Sequence, residues 1–142
     1  MNRFILISLF ILGVYFKSGA QTYSPGQNAE GGLVFPTSKK KGFVVAEKGL
    51  GLMTWEEGKK ACEDLVLNGY DDWRLPSKTE LSIIYYQFYM RGIGGFPTEY
   101  YWSKTENKGI RQLAWCLDFK DGQEYNSHSK TNNKYILPVR SY

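Results

Sequence analysis

The chain has few of the side chains that build metal or redox sites. Its 142 residues include one histidine, His128, and two cysteines, Cys62 and Cys116. No Cys-x-x-Cys pair occurs in it, whereas structural zinc sites take four cysteine or histidine ligands, closely spaced in sequence. The sequence therefore predicts no metal site and no cofactor.

The chain also has no large excess of positive or negative charge. The chain carries 18 basic and 14 acidic residues, and two of the basic ones, Arg3 and Lys17, belong to the N-terminal leader described below. Domains that bind nucleic acid usually show a strong basic patch or stripe. We expect no nucleic-acid partner.

Long apolar runs are missing beyond the N-terminus. The run from Phe4 to Phe16 is shorter than the roughly 20 residues that span a bilayer. Arg3 precedes it, and Ser18-Gly19-Ala20 fits the cleavage pattern of secretory signals. Residues 1–20 are predicted to be a signal peptide and residues 21–142 a single domain without a membrane span. The protein would then be exported, to the periplasm, the cell surface or the medium.

The two cysteines leave two alternatives open. Cysteine pairs in exported proteins usually form disulfides, and a loop of this length would stabilise the fold by about 4 kcal/mol. However, Cys62 lies on the apolar face of a predicted helix, whereas Cys116 lies on the strand face opposite Trp115 and Leu117. A Cys62–Cys116 disulfide therefore requires a sheet that is covered on both faces. The alternative is a pair of buried free thiols.

Two capping boxes predict the starts of two helices. In Thr54–Glu57 and in Ser77–Glu80, a hydroxyl and a glutamate can satisfy amide groups at the helix start. Apolar residues at helical spacing follow each box. We predict helices over residues 55–67 and 78–89, with Asn68-Gly69 ending the first.

Short apolar segments predict the strands around these helices. Polar or glycine-rich segments, residues 49–52 and 126–133, are predicted to be loops. Because the helices are grouped beside an antiparallel sheet, the order of elements favours an α+β fold. The predicted strands are Leu33–Phe35, Gly42–Ala46, Tyr100–Ser103, Leu113–Phe119 and Tyr135–Arg140.

The segment Asp72–Ser77 joins the two helices. Trp73 is large enough to anchor a core, and Pro76 keeps Leu75 extended. A buried Arg74 would need a carboxylate partner, for which Asp72, Glu80 and Asp118 are the candidates. The motif is interpreted as architectural, with a ligand-facing Arg74 as the alternative. The residues assigned to this framework are Trp55, Asp72, Trp73, Arg74, Pro76, Ser77, Trp102 and Trp115.

The order of these motifs resembles that of a known family. The matching segments are Gly31-Gly32-x-Val34-Phe35, Thr54-Trp55-x-x-Gly58-x-x-Ala61-Cys62, Asn68-Gly69-Tyr70-x-Asp72-Trp73-Arg74-Leu75-Pro76-Ser77, Tyr101-Trp102-Ser103-x-Thr105, Ala114-Trp115 and Val139-Arg140. They are similar to the C-terminal domain family of Legionella collagen-like adhesins over nearly all of residues 21–142. The chain departs from the family at Lys104, where a second serine is frequent. It also lacks the cysteine that some members carry near the final Val-Arg.

The resemblance implies a C-type lectin-like fold, with two helices packed on a small antiparallel sheet and the N- and C-terminal strands close together. It also implies a distant likeness to the formylglycine-generating enzyme group. Some members of the family act in adhesion to glycosaminoglycans or matrix, a property that does not transfer by fold alone.

Three classes of function stay open at this point. A non-catalytic binding or adhesion module for a glycan or an extracellular protein is favoured by the export signal and the aromatic content. Its candidate ligand-binding residues are Lys39, Lys40, Lys41, Tyr100 and Tyr101. A structural subunit of an envelope assembly is the first alternative. An enzyme is the second, although no nucleophile motif accompanies His128.

Overall fold

The computed structural model describes residues 21–142. The predicted signal peptide, residues 1–20, lies outside this part of the chain. Within it, no helix has both the length and the apolar character needed to cross a membrane.

A four-stranded antiparallel sheet joins the two ends of the described chain. Its strands are β1 (Asn28–Ala29), β2 (Gly32–Pro36), β3 (Gly42–Val45) and β9 (Val139–Ser141), in the order β1-β2-β3-β9. β3 pairs with β9 in the register Val44 to Arg140. The C-terminal strand β9 therefore lies in the same sheet as the N-terminal strands β1 to β3, next to β3. This agrees with the terminal strands lying close together, as the family resemblance implies.

A five-stranded sheet forms the other half of the fold. Its order is β4-β8-β5-β6-β7, and every pairing is antiparallel except that of β5 with β8. The bounds are β4 (Gly51–Met53), β5 (Tyr100–Glu106), β6 (Leu113–Asp118), β7 (Glu124–Ser129) and β8 (Lys134–Ile136).

The two helices lie on opposite faces of the five-stranded sheet. α1 (Trp55–Glu63) packs on the side that carries Trp102, Cys116 and Ile136, which we call the front face. α2 (Lys78–Gln87) packs on the back face, which carries Tyr101, Leu117 and Phe119. Both predicted capping boxes are present. The α+β class is confirmed, with two sheets where one small sheet was expected.

Both helices end earlier than predicted. α1 ends at Glu63 instead of residue 67, because Asp64 already closes the last turn through its amide. Asn68 and Gly69 both have positive φ and form a two-residue turn that pairs Leu67 with Tyr70. α2 ends at Gln87, and a short 3-10 turn, Tyr89–Arg91, follows it.

Two loop predictions and one strand prediction were wrong. β4 (Gly51–Met53) overlaps the loop predicted for residues 49–52, and β7 (Glu124–Ser129) overlaps the start of the loop predicted for residues 126–133. The single strand predicted for residues 135–140 is divided between the two sheets. The break falls at Leu137 and Pro138, where the proline has no amide to donate to a strand pairing.

The cysteines are both free and buried in the structure. Cys62 of α1 and Cys116 of β6 belong to one apolar cluster on the front face. Burial raises the pKa of the Cys62 thiol to about 12 and that of Cys116 to about 11. Of the two alternatives, the structure contains the pair of buried thiols, in a sheet that is indeed covered on both faces.

Candidate functional site

The predicted joint at Asp72–Ser77 is held by a paired arginine. Arg74 donates to both carboxylate oxygens of Glu80, each at 2.8 Å, and its backbone pairs with Val139 of β9. Burial opposes ionisation of Glu80, but hydrogen bonds from Arg74 and from the Ser77 amide outweigh it and lower the pKa. Glu80 is thus the partner among the three candidate carboxylates, and the guanidinium is occupied by the fold.

A second arginine ties the joint to the terminal sheet. Arg140 donates to both oxygens of Asp72, at 2.6 and 3.2 Å, and to the backbone carbonyl of Glu30 at 3.0 Å. Its guanidinium lies 3.7 Å from the centre of the Tyr70 ring. The hydrogen bond from Arg140 lowers the pKa of Asp72.

The other motif residues are buried in the same joint. Trp73 packs against Val34 and Val44 of the first sheet, and its indole donates to the carbonyl of Tyr70 at 3.1 Å. Pro76 is buried, and its carbonyl accepts from the Lys104 amide at 2.7 Å. This geometry supports the architectural interpretation of the motif.

The lysine run occupies an exposed turn between β2 and β3. Lys39, Lys40 and Lys41 are all exposed. They belong to none of the ion pairs within residues 21–142. Lys39 lines a cleft of about 240 Å³ with Tyr23 and Tyr142. The turn is therefore available to an anionic ligand.

The two candidate tyrosines point to opposite sides of β5. Tyr101 is fully buried on the back face, where its ring stacks on Phe119 at 3.9 Å and its hydroxyl donates to the carbonyl of Pro97. The prediction that Tyr101 contacts a ligand was wrong, because strand alternation places it in the core. Tyr100 is 37% exposed and lies on the front face.

Tyr100 belongs to an aromatic group at the uncovered end of the front face. Its ring centre lies 6.0 Å from that of Tyr125 and 5.6 Å from that of His128. The ammonium of Lys134 lies 4.5 Å from the centre of the Tyr100 ring and 5.1 Å from that of Trp102. We call Tyr100, Trp102, Tyr125, His128 and Lys134 the front-face cluster.

Two polar groups of this cluster have no partner in the described chain, and one of them, the Trp102 indole nitrogen, is fully buried. Lys134 is only 5% exposed, and within residues 21–142 its ammonium makes no ion pair and no hydrogen bond. The indole nitrogen of Trp102 likewise has no acceptor in the described chain. Burial lowers the pKa of Lys134. Burial, and then the charge of Lys134, lower the pKa of His128.

A groove of about 430 Å³ opens beside Trp115, a residue that the sequence assigned to the framework. Trp115 is partly exposed, and the ammonium of Lys78 lies 3.9 Å from the centre of its ring. The sequence did not reveal this groove because its lining comes from α2, from the end of β5 with the segment that follows it, from β6 and from β7. The lining residues are Lys78, Thr105, Glu106, Asn107, Lys108, Trp115 and Asn126.

A second groove, of about 490 Å³, lies beside Trp55. The Trp55 ring itself is buried, its indole donates to the carbonyl of Ser103, and Lys130 covers it at 4.2 Å. Because the Trp55 side chain is only 3% exposed and Lys130 also pairs with Glu106, this ring is not available to a ligand. Trp55 thus serves the framework.

No group of three metal-ligating side chains occurs within residues 21–142.

The search of curated proteins found no match to the chain. A family model described as the Lcl C-terminal domain matches residues 27–140, which include both helices and every strand residue except Ser141, the last of β9. The chain therefore belongs to the Lcl C-terminal domain family, the adhesin-associated family that its motifs resemble.

Proposed function

We propose that the protein is a non-catalytic binding module that holds an extracellular glycan in the Trp115 groove. The observation that carries this proposal is the combination of a partly exposed indole ring and hydrogen-bonding side chains in one concave site. Ligand sites typically join an apolar surface to a few well-placed polar groups. A protein surface is the alternative ligand.

The groove offers a sugar both kinds of contact. The ring of Trp115 is partly exposed, and it can stack on the apolar face of a pyranose, as large aromatic side chains do, once the Lys78 ammonium above it turns away. Asn107 is held in place, because its carbonyl oxygen accepts from the amides of Gly109 and Ile110 and its amide donates to the carbonyl of Asn126. Asn107 therefore shapes the wall, while Lys78 and Lys108 can donate to hydroxyl groups.

Family membership and the exposed lysine turn support the same function. The Lcl C-terminal domain family fits an adhesion-type role, and the predicted signal peptide would bring the domain to an extracellular ligand. Lys39, Lys40 and Lys41 would add a salt-sensitive attraction to anionic ligands. Tyr100 stays a candidate contact on the opposite face of the sheet. An envelope subunit, or an enzyme related to the formylglycine-generating group, remains the alternative.

Glycan-array and heparin-column binding of the purified protein test this proposal. Array binding lost in Trp115→Ala, but kept in Tyr86→Ala, is the expected result, because Tyr86 is an exposed aromatic residue of α2 outside the groove. Array binding that survives Trp115→Ala contradicts the assignment of the groove. Binding to neither array nor heparin contradicts the glycan proposal as a whole.

The heparin column isolates the contribution of the lysine turn. Substituting alanine at Lys39, Lys40 and Lys41 together should reduce retention and its sensitivity to salt, since each exposed cation adds a screened attraction. The matched control removes three exposed lysines elsewhere, Lys48, Lys60 and Lys120. An equal loss in both variants would reduce the effect to net charge and contradict a role for the turn.

A further inference from the structure

Lys134 differs from the buried Arg140 and the partly buried Arg74. Arg74 and Arg140 each meet a carboxylate through two hydrogen bonds. Lys134 is as buried as Arg140, but it meets no carboxylate within ion-pair distance in residues 21–142. Buried charges in proteins are normally paired or bound to a ligand. Lys134 thus has no anionic partner within residues 21–142, although it is nearly buried.

The strand registers define what surrounds this ammonium. Trp102 lies opposite Cys116, and Tyr100 lies opposite Asp118. The pairing of Tyr101 with Tyr135 places Lys134 beside Tyr100 on the front face. Across β6, Cys116 pairs with Tyr125 of β7, and Ala114 pairs with His128. The ionisable groups around Lys134 are therefore Tyr100, Cys116, Asp118, Tyr125 and His128.

Asp118 does not fill the place of a counter-ion. Its carboxylate attracts Lys134 but lies beyond the ion-pair distance of 4.0 Å, and one of its oxygens accepts from the Lys120 amide at 2.8 Å. The rings of Tyr100 and Trp102 offset part of the desolvation through cation–π contacts, worth about 0.5–2 kcal/mol each. None of these groups accepts a hydrogen bond from the ammonium.

The unpaired groups of the cluster are donors. A lysine ammonium offers three N–H donors and no acceptor, and an indole offers one donor. The Trp102 indole nitrogen is fully buried without an acceptor in the described chain. The Lys134 ammonium meets no carboxylate there, and the side chain keeps a small contact with solvent, 5% exposed, through which an anion can reach it. The chemical group that matches such a set is an oxyanion, because it brings negative charge and several acceptor oxygens together.

We propose that the front-face cluster is a binding site for a single oxyanion, a carboxylate or a sulfate group, that pairs with Lys134 beside the rings of Tyr100 and His128. The site is independent of the Trp115 groove. Trp115 and Cys116 are successive residues of β6, so the groove and the cluster lie on opposite faces of the sheet. Either proposal can fail while the other holds.

The single histidine of the chain gives the site its own reporter. His128 lies next to Tyr100, and the charge of Lys134 contributes to its lowered pKa. An anion bound to Lys134 would offset that charge and raise the pKa of His128, by about half a unit for a partner of unit charge near the surface. The imidazole signals of His128 in NMR spectra of the purified protein measure this directly.

The experiment replaces chloride by acetate or by sulfate at constant ionic strength. We expect a saturable movement of the His128 signals and a rise in its pKa with at least one of the two anions. Neutral acetamide should cause no change. The anion that gives the tighter response identifies whether the site prefers a carboxylate or a sulfate.

Two variants separate specific binding from screening. Lys134→Met should abolish the saturable response. Lys120→Met removes an exposed lysine from the turn between β6 and β7 and should keep the response. Trp115→Ala should also keep it, since the groove lies on the other face. A wild-type titration without saturation, or one that acetamide reproduces, would overturn the proposal. So would an unchanged response in a folded Lys134→Met variant.

Discussion

The joint between the helices and the front-face cluster differ in whether their cations are paired with carboxylates. At the joint, Arg74 and Arg140 each hold a carboxylate with two hydrogen bonds, and the backbone of Arg74 pairs with β9. In the front-face cluster, Lys134 is buried against two aromatic rings and holds no carboxylate of the described chain.

This difference separates architecture from function in one small domain. A bidentate arginine pair fixes geometry, because both partners are planar and both are satisfied. An unpaired buried ammonium fixes nothing and costs desolvation free energy. The Asp72–Ser77 motif is therefore part of the framework of the domain. The front-face cluster, in contrast, has donor groups without partners, to which a ligand can bind.

The largest expected effect comes from breaking the joint at its tryptophan. Trp73→Ala should lower the free energy of unfolding by about 3–5 kcal/mol, because it leaves a cavity between the joint and the first sheet. Urea unfolding measures the loss. Tyr86→Ala, at an exposed position of α2, is the control and should stay within about 0.5 kcal/mol of the wild type. Equal losses in the two variants would contradict a framework role for Trp73.

Removing the Glu80 carboxylate should cause the next largest loss in the free energy of unfolding. Glu80→Ala leaves Arg74 unpaired and deletes half of a capping box, so we expect a loss of about 2–3 kcal/mol. Glu63→Ala, an exposed glutamate of α1, is the matched control. Since the pKa of Glu80 is lowered in the fold, its advantage over alanine exists at neutral pH. The advantage should disappear as pH falls through that lowered pKa, and its persistence in acid would refute the charge pairing.

The pH dependence of Lys134 should have the opposite sign. Burial lowers its pKa, so the charged form is less favourable in the folded protein than in the unfolded chain. The stability of the wild type relative to Lys134→Met should therefore rise as pH increases from the lowered pKa towards the ordinary value of about 10.4. Unfolding of both proteins at neutral and at alkaline pH measures this difference. A fall over the same range would mean that the ammonium is stabilised in the fold.

Reductant should have the smallest effect. Two free thiols predict that the unfolding free energy changes by less than about 0.5 kcal/mol when reductant is added, whereas loss of a disulfide would cost about 4 kcal/mol. Thiol titration of the unfolded protein should find both Cys62 and Cys116. A large shift with reductant would indicate that the cysteines pair across the front face.

Much of the framework was predictable because it depends on local chemistry. Both helix starts follow from capping boxes within four residues, Thr54–Glu57 and Ser77–Glu80. The alternation in residues 113–118 identified a strand covered on one face by apolar side chains. β7 was missed because an edge strand with polar, largely exposed side chains shows no apolar alternation.

The binding surfaces were less predictable because they depend on distant residues. Nothing adjacent to Lys134 in sequence distinguishes it from an exposed lysine, and its burial results from rings on β5. The Trp115 groove is built in the same way, from four separate segments. Tyr100 and Tyr101 looked equivalent until the strand register placed one outside and the other in the core.

The most direct test compares Arg74→Met with Lys134→Met, two variants that each replace a cation by an apolar side chain of similar length. Urea unfolding at neutral pH should show that Arg74→Met loses about 2–3 kcal/mol, because Glu80 is left without its partner. Lys134→Met should stay within about 1 kcal/mol of the wild type or exceed it, because an unpaired ammonium is removed from the interior. A loss in Lys134→Met as large as that in Arg74→Met would contradict the distinction between a paired framework and an unfilled site.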